Sequence, residues 1–174
     1  MIAFLGLLIF IVLLWIYIIY HIHYERRWNR VYSEALANTK DDTLPASGPF
    51  IAYKTALYYD EKKGLDYIAV IKLVVPKNAK RLQPIQSSRC EFNNKCRCDM
   101  AFVASIYAID DGHAFNSIRS VFDKNFIYTV GKLSKAKRFN SDRTIECGRG
   151  IHFFMKEEDA IIFAKRMFLF LYNI

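Results

Sequence analysis

The first 24 residues contain no charged side chain, and nothing basic stands ahead of the apolar run that fills them. A cleaved signal peptide needs a basic leader and a small-residue cleavage pattern. Here the run ends in Trp15, Tyr17 and Tyr20 instead, so the segment reads as uncleaved. The chain also lacks an Asn-x-Ser/Thr acceptor, which agrees with a cytosolic domain. It has no C-x2-C knuckles, no H-E-x-x-H, no G-x-S-x-G and no glycine-rich phosphate loop. Those absences remove the common zinc signatures, the zinc-protease helix, the serine-hydrolase elbow and Walker-type chemistry. No internal repeat occurs.

What is present begins with residues 2–20, IAFLGLLIFIVLLWIYIIY, apolar on every face. About 20 residues at about 1.5 Å each cover a hydrocarbon core of roughly 30 Å. A buried core helix is not expected for a run that is apolar on every face and sits at the N-terminus, and an interfacial helix would need a polar face that this segment does not have. It predicts a transmembrane helix over 1–20. Arg26, Arg27 and Arg30 follow it, and basic residues collect on the cytoplasmic side. The C-terminal part is therefore expected in the cytosol. Trp15, Tyr17, Tyr20, Tyr24 and Trp28 suit the aromatic belt at that interface. For Tyr24 and Trp28, packing in a juxtamembrane helix fits equally well.

The charged side chains all lie beyond the anchor and sum to a formal +8. A basic domain tethered to a cytosolic leaflet is attracted to anionic lipid, about 1 kcal/mol per Lys or Arg near the surface. Arg26, Arg27, Arg30, Lys135, Lys137 and Arg138 are the candidates for that contact. The remaining basic residues are scattered and match no nucleic-acid module, so nucleic acid is not the expected partner. The expected partners are the bilayer, an anionic lipid surface and an unidentified protein.

Residues 21–40 carry helix formers and predict a polar continuation of the anchor. DDTLPASGP at 41–49 is turn and linker chemistry. A juxtamembrane helix and linker over 21–45 and a basic domain over 46–174 follow. Residues 50–59 and 67–75 are rich in aromatic and β-branched side chains and predict a hairpin, turned at 62–66 and ended by Pro76. Residues 77–95 read as irregular. Strands are expected at 100–109, 126–130 and 151–155, a short helix or loop at 115–122, and a basic loop before Arg143. Glu157, Glu158 and Asp159 suit the positive start of a helix whose apolar spacing runs to the C-terminus. The fold class is α+β: a transmembrane helix, then a small, mostly antiparallel sheet with a C-terminal helix on it.

Cys90, Cys96, Cys98 and Cys147, with His113 and His152, have the chemistry of a zinc site but not its spacing. No metal or cofactor is expected, and the cytosolic placement predicts free thiols. Cys96 and Cys98 lie among Lys95 and Arg97, and cations favour thiolate. No Cys/His/Asn signature accompanies them.

Ala52-Tyr53-Lys54, Val75-Pro76-x-x-Ala79-x-Arg81, Lys95-Cys96-Arg97 with Ala101 and Val103, Phe126-x-Tyr128-x-x-Gly131, and Glu146-Cys147-x-x-Gly150-Ile151-His152-Phe153-Phe154 occur in that order. Together they resemble an uncharacterised C-terminal domain of large DNA virus and phage proteins, often found behind pentapeptide repeats. The resemblance spans residues 50–165 and implies a viral origin and a compact α+β module, without implying a reaction. Here a membrane anchor stands where the pentapeptide repeats are often found. Gly148-x-Gly150-Ile151-His152-Phe153 also resembles the Gly-x-Gly-Ile-Tyr-Phe segment of poly-ADP-ribosyltransferases. His152 occupies the aromatic position, and no acid follows Asp159 to serve as the catalytic Glu.

The expected function is a membrane-anchored, non-enzymatic interaction domain. The alternative is a membrane-bound enzyme or a degenerate, ADP-ribosyltransferase-like nucleotide-binding domain. Tyr53, Lys54, Cys96, Arg97, Cys147, Gly150 and His152 are the candidate pocket residues. Their convergence in one concave site would favour the enzyme.

Overall fold

The computed structural model describes residues 2–39, 43–60, 64–85, 95–123 and 125–172. One unbroken helix, α1 (Ile2–Asn38), begins the chain. From Leu7 to Tyr20 its large apolar side chains are exposed, and it is long and apolar enough to cross a membrane. Past Tyr24 the same helix becomes part of the domain. Trp28, Val31, Tyr32 and Ala35 recur at helical spacing and pack on Ile51, Tyr53, Val74, Phe102 and Ala104. Trp28 meets Phe102 edge-on, with ring centroids 5.5 Å apart.

Thr39 ties the helix end to the sheet. Its hydroxyl donates to Ala35 O at 2.7 Å and accepts from Ile51 N–H at 2.8 Å. Asn38 Nδ2 donates to Pro49 O at 3.0 Å. The segment expected as a juxtamembrane helix and linker is thus fastened to the domain at both ends. Lys40, where the helix was expected to stop, lies outside the described residues.

The main sheet is antiparallel, in the order β1 (Phe50–Asp60), β2 (Leu65–Val75), β5 (Met100–Ala108), β8 (Leu133–Lys135). A second sheet holds β3 (Arg81–Leu82), β4 (Cys96–Cys98) and β9 (Ile151–Phe153), and a ribbon joins β6 (Ser117–Arg119) to β7 (Ile127–Thr129). Side chains alternate across β1. Phe50, Ala52 and Ala56 enter the main core with Ile71, Leu73, Val103 and Phe153. Ile51 and Tyr53 face α1, and Thr55 donates to Ala160 O of α2 (Glu157–Tyr172) at 2.6 Å. The two helices therefore cover one face of the main sheet, and the small sheets cover the other.

The α+β class and the long hairpin follow the sequence reading. Residues 115–122, expected as a short helix or loop, contain β6, the irregular stretch contains β3, the basic loop contains β8, and β4 falls at 96–98, where no element was expected. Strands of two or three residues cannot display a period of two. Their pairing is set by the strands they meet, not by their own pattern. In the 62–66 turn only Gly64, at φ +65°, is a described turn residue; Leu65 and Asp66 already pair in β2, and residues 62 and 63 lie outside.

Candidate functional site

A cleft of about 640 Å³ opens between β1, β7, β9 and the loops around residues 120–126 and 147–150. Lys54 and His152 lie in it, with Phe122, Phe126 and Tyr128 as apolar wall and Lys137, Arg138 and Arg149 as basic border. A smaller apolar recess of about 270 Å³ adjoins it beside α2, walled by Phe154, Phe163 and Met167. Lys54, Phe122, Cys147 and His152 border both spaces.

Strand pairing brings these groups together. At the edge of β1, Tyr53 and Phe154 exchange both backbone hydrogen bonds, at 2.8 and 2.7 Å. That register sets β9 against β1, so Lys54 Nζ reaches His152 O at 3.3 Å. Lys54 is 8 % exposed, and its ammonium lies 5.8 Å from the Tyr128 ring centroid. Burial lowers its pKa to about 8. His152 is driven further, to about 4, first by burial and then by the charges of Lys54, Lys95 and Arg97. The imidazole is therefore neutral at physiological pH. Its Nε2 is buried without a hydrogen-bond partner.

Arg97 pairs with His152 across β4 and β9, but its side chain turns away from the cleft's open space. It is fully buried and grips the loop that precedes Cys147. Nε donates to Asn140 O at 2.9 Å, Nη1 to Ile145 O at 2.6 Å and Glu146 O at 3.1 Å, and Nη2 to Asp142 O. The glycines serve this clamp. A Cβ on Gly148 would lie 3.1 Å from Arg97 Cζ, and one on Gly150, at φ +151°, would lie 3.1 Å from Cys98 O. Gly-Arg-Gly therefore fits as packing around a guanidinium.

The candidates from sequence thus divide. Lys54, Cys147, Gly150 and His152 share the cleft. Tyr53 faces α1 on the other side of the sheet, and Cys96 lies in the main core. Burial pushes the Cys96 thiol up to about 12 and the Cys98 thiol upward as well, which disfavours thiolate at both. Cys147 is exposed, 3.6 Å from Lys95 Nζ, and Lys95 also pairs with Glu146 at 3.5 Å. Among the described residues no group of three or more His, Cys, Asp or Glu could hold a metal ion; Cys90 lies outside them.

Among the basic candidates, Arg26, Arg27 and Arg30 lie together on α1 with Tyr20, His23 and Tyr24. Lys135 borders the adjoining recess with Arg27, Arg30, Lys77 and Leu133. Lys137 and Arg138 border the cleft instead. Phe122, Phe126, Tyr128 and Arg149 were not singled out as site residues from sequence. Only Phe126-x-Tyr128 carried a signal, through the family resemblance.

Comparison with family models matches residues 41–160 to DUF5758, a family of unknown function. The chain belongs to this family. Comparisons with curated proteins and with solved structures find no match. The matched segment includes Lys54, Arg97, Cys147 and His152, and stops within α2.

Burial yields a direct expectation for the thiols. In a Cys90→Ser background a maleimide modifies Cys147 readily. Cys96 and Cys98 react slower by about a hundredfold or more, because they need local unfolding first. Peptide mass mapping at short times reads the difference. Equal labelling of all three would contradict the packing of the second sheet.

Proposed function

We propose that this chain is a single-pass membrane protein whose cytosolic α+β domain is a non-enzymatic interaction module held against the bilayer. The observation that carries the reading is the continuity of α1. The helix that holds the apolar run also supplies the Trp28, Val31, Tyr32 and Ala35 face on which the sheet packs. Tyr24, four residues past Tyr20, donates from its hydroxyl to Gly131 O at 3.3 Å. Four residues are about 6 Å of helix rise. That spacing supports a domain docked at headgroup level instead of one swinging on a linker.

Electrostatics support the same placement. Arg27, Arg30 and Lys135 lie at the junction of helix and sheet, with Arg26 beside them on α1, within reach of an anionic leaflet whose field decays over about 8–10 Å. The positive-inside rule favours the cytosolic side for them. The resemblance to domains of large DNA viruses and phages supports a viral setting, in a virion or an infected-cell membrane. Of the candidates, Lys54, Cys147, Gly150 and His152 do share the cleft. But Arg97 is occupied by four backbone carbonyls, Cys96 is buried in the core and Tyr53 faces α1, and this dispersal supports the non-enzymatic reading. The cleft remains open as the surface for a ligand.

Topology is tested with the full chain carrying an Asn-x-Thr acceptor fused after Ile174. In microsomes it is expected to insert, resist carbonate extraction and stay unglycosylated. Glycosylation, or a product shortened by the length of the apolar run, would reverse the orientation or remove the anchor. Cutting the chain at residue 46 is not an equivalent test. It would uncover Ile51, Val74 and Phe102, the face that α1 covers.

A further inference from the structure

Two polar groups on the floor of the cleft are incompletely satisfied by the fold. Among the described residues, the Lys54 ammonium is buried with a single carbonyl partner, His152 O, and no carboxylate acts on it. An ammonium taken out of water without a counter-ion is destabilising. Beside it, His152 Nε2 is buried with no partner at all. A native fold leaves few such groups, and each calls for a physical reason.

The border repeats the charge imbalance. Lys137, Arg138 and Arg149 surround the opening, and Asp123 is the one carboxylate lining it among the described residues. Lys137 and Arg138 are neighbours on one loop and Arg149 stands on another, and the topology brings the two loops to one side of one space. Phe122, 76 % exposed, stands at the same opening with Phe126. An exposed aromatic beside a basic cleft offers a flat organic group a surface to lie on.

We infer that this cleft binds a phosphate monoester, with Lys54 as the buried counter-charge, Arg138 and Arg149 as donors to the outer oxygens, and Phe122 and Phe126 against the organic part. A phosphate monoester is compact, is close to doubly charged at neutral pH and accepts several charge-assisted hydrogen bonds. It would supply the counter-ion that Lys54 lacks. A carboxylate brings one charge and would leave more of the border unpaired. The inference deepens the reading of the cleft as the module's ligand surface, and it does not depend on the topology. A failed phosphate assay leaves the anchor intact, and an inverted topology leaves the cleft chemistry intact.

The test is titration of the full chain in neutral nanodiscs with phenyl phosphate, inorganic phosphate and phenol, followed by calorimetry. Phenyl phosphate should bind saturably, inorganic phosphate more weakly, and phenol not measurably. Lys54→Met should lower phenyl phosphate affinity about tenfold or more, the scale of one charge-assisted contact. Because position 54 is buried, the border variants Arg138→Ala and Arg149→Ala provide a second measurement. Each should cost about two- to tenfold while leaving the melting temperature unchanged. Discs containing phosphatidylinositol 4-phosphate then separate the sources of the group. Competition with phenyl phosphate assigns the site to a lipid headgroup, and its absence assigns it to a soluble ligand. No saturable binding by any phosphate, or binding that survives both Lys54→Met and the border variants, would overturn the inference.

Discussion

Arg97→Ala is expected to destabilise the domain by on the order of 4 kcal/mol, among the largest effects of any single substitution in it. The guanidinium satisfies the carbonyls of Asn140, Asp142, Ile145 and Glu146 at once. Its loss leaves acceptors without donors beneath the 147–150 loop and opens a void against Gly148. Arg97→Lys should rescue little, because an ammonium is a point charge and cannot span four carbonyls in the fork of a guanidinium. Thermal unfolding in nanodiscs, followed by near-UV circular dichroism, gives the size. Hydrogen exchange gives the place: protection should fall first at residues 140–150. A lysine variant as stable as the parent would show that the clamp is only charge.

Lys54→Met should do the opposite and raise stability, by about 2–3 kcal/mol at pH 7. Lys54 titrates near 8 in the fold and near 10.5 in the unfolded chain. Below pH 8 both states hold the proton, and the fold bears the full cost of a buried charge. Between 8 and 10.5 the folded lysine has released its proton while the unfolded one keeps it, so this residue's penalty fades as pH rises. The advantage of methionine over lysine should therefore shrink from pH 7 to pH 10. Comparing the two proteins at each pH matters, because the raised Cys96 and Cys98 thiols titrate oppositely and cancel in the difference. A more stable fold with weaker phosphate binding marks a residue kept for function. If Lys54→Met instead destabilised the protein at pH 7, the lysine would be a structural member of the core edge.

How much of this was legible in the sequence depends on the range over which each feature is encoded. The apolar run and the β1–β2 hairpin were readable because length and pattern are local. The docking of α1 was only half readable. Trp28 and Tyr24 fitted a headgroup belt and a packed helix equally well, and the residues that decide it, Phe102 and Gly131, lie far along the chain. Arg97 entered the candidate set because it stands beside Cys96 in a family motif. Nothing in its neighbours indicates that its partners are carbonyls over 40 residues away. The cleft was least readable. Lys54, Tyr128 and the Arg149–His152 stretch belong to three separate segments that meet only through pairings such as Tyr53 with Phe154. The lysine's isolation from the described acids is a property of that meeting, not of its sequence context.

The central claim is that α1 holds the sheet at the membrane surface, with the turn between β7 and β8 level with Tyr24. The most direct measurement is quenching by nitroxide headgroup lipids of a fluorophore at single cysteines, with Cys90 and Cys147 replaced by serine. Labels at residues 25, 36 and 133 of the full chain in nanodiscs suffice. Residue 36 lies about 24 Å of helix rise beyond Tyr20, and residue 25 about 8 Å. Leu133 is two residues from Gly131, which accepts the Tyr24 hydroxyl, and its side chain is partly exposed. The account predicts that a label at 133 is quenched nearly as strongly as one at 25 and far more strongly than one at 36. Quenching at 133 no greater than at 36 would contradict it and return the domain to a free tether.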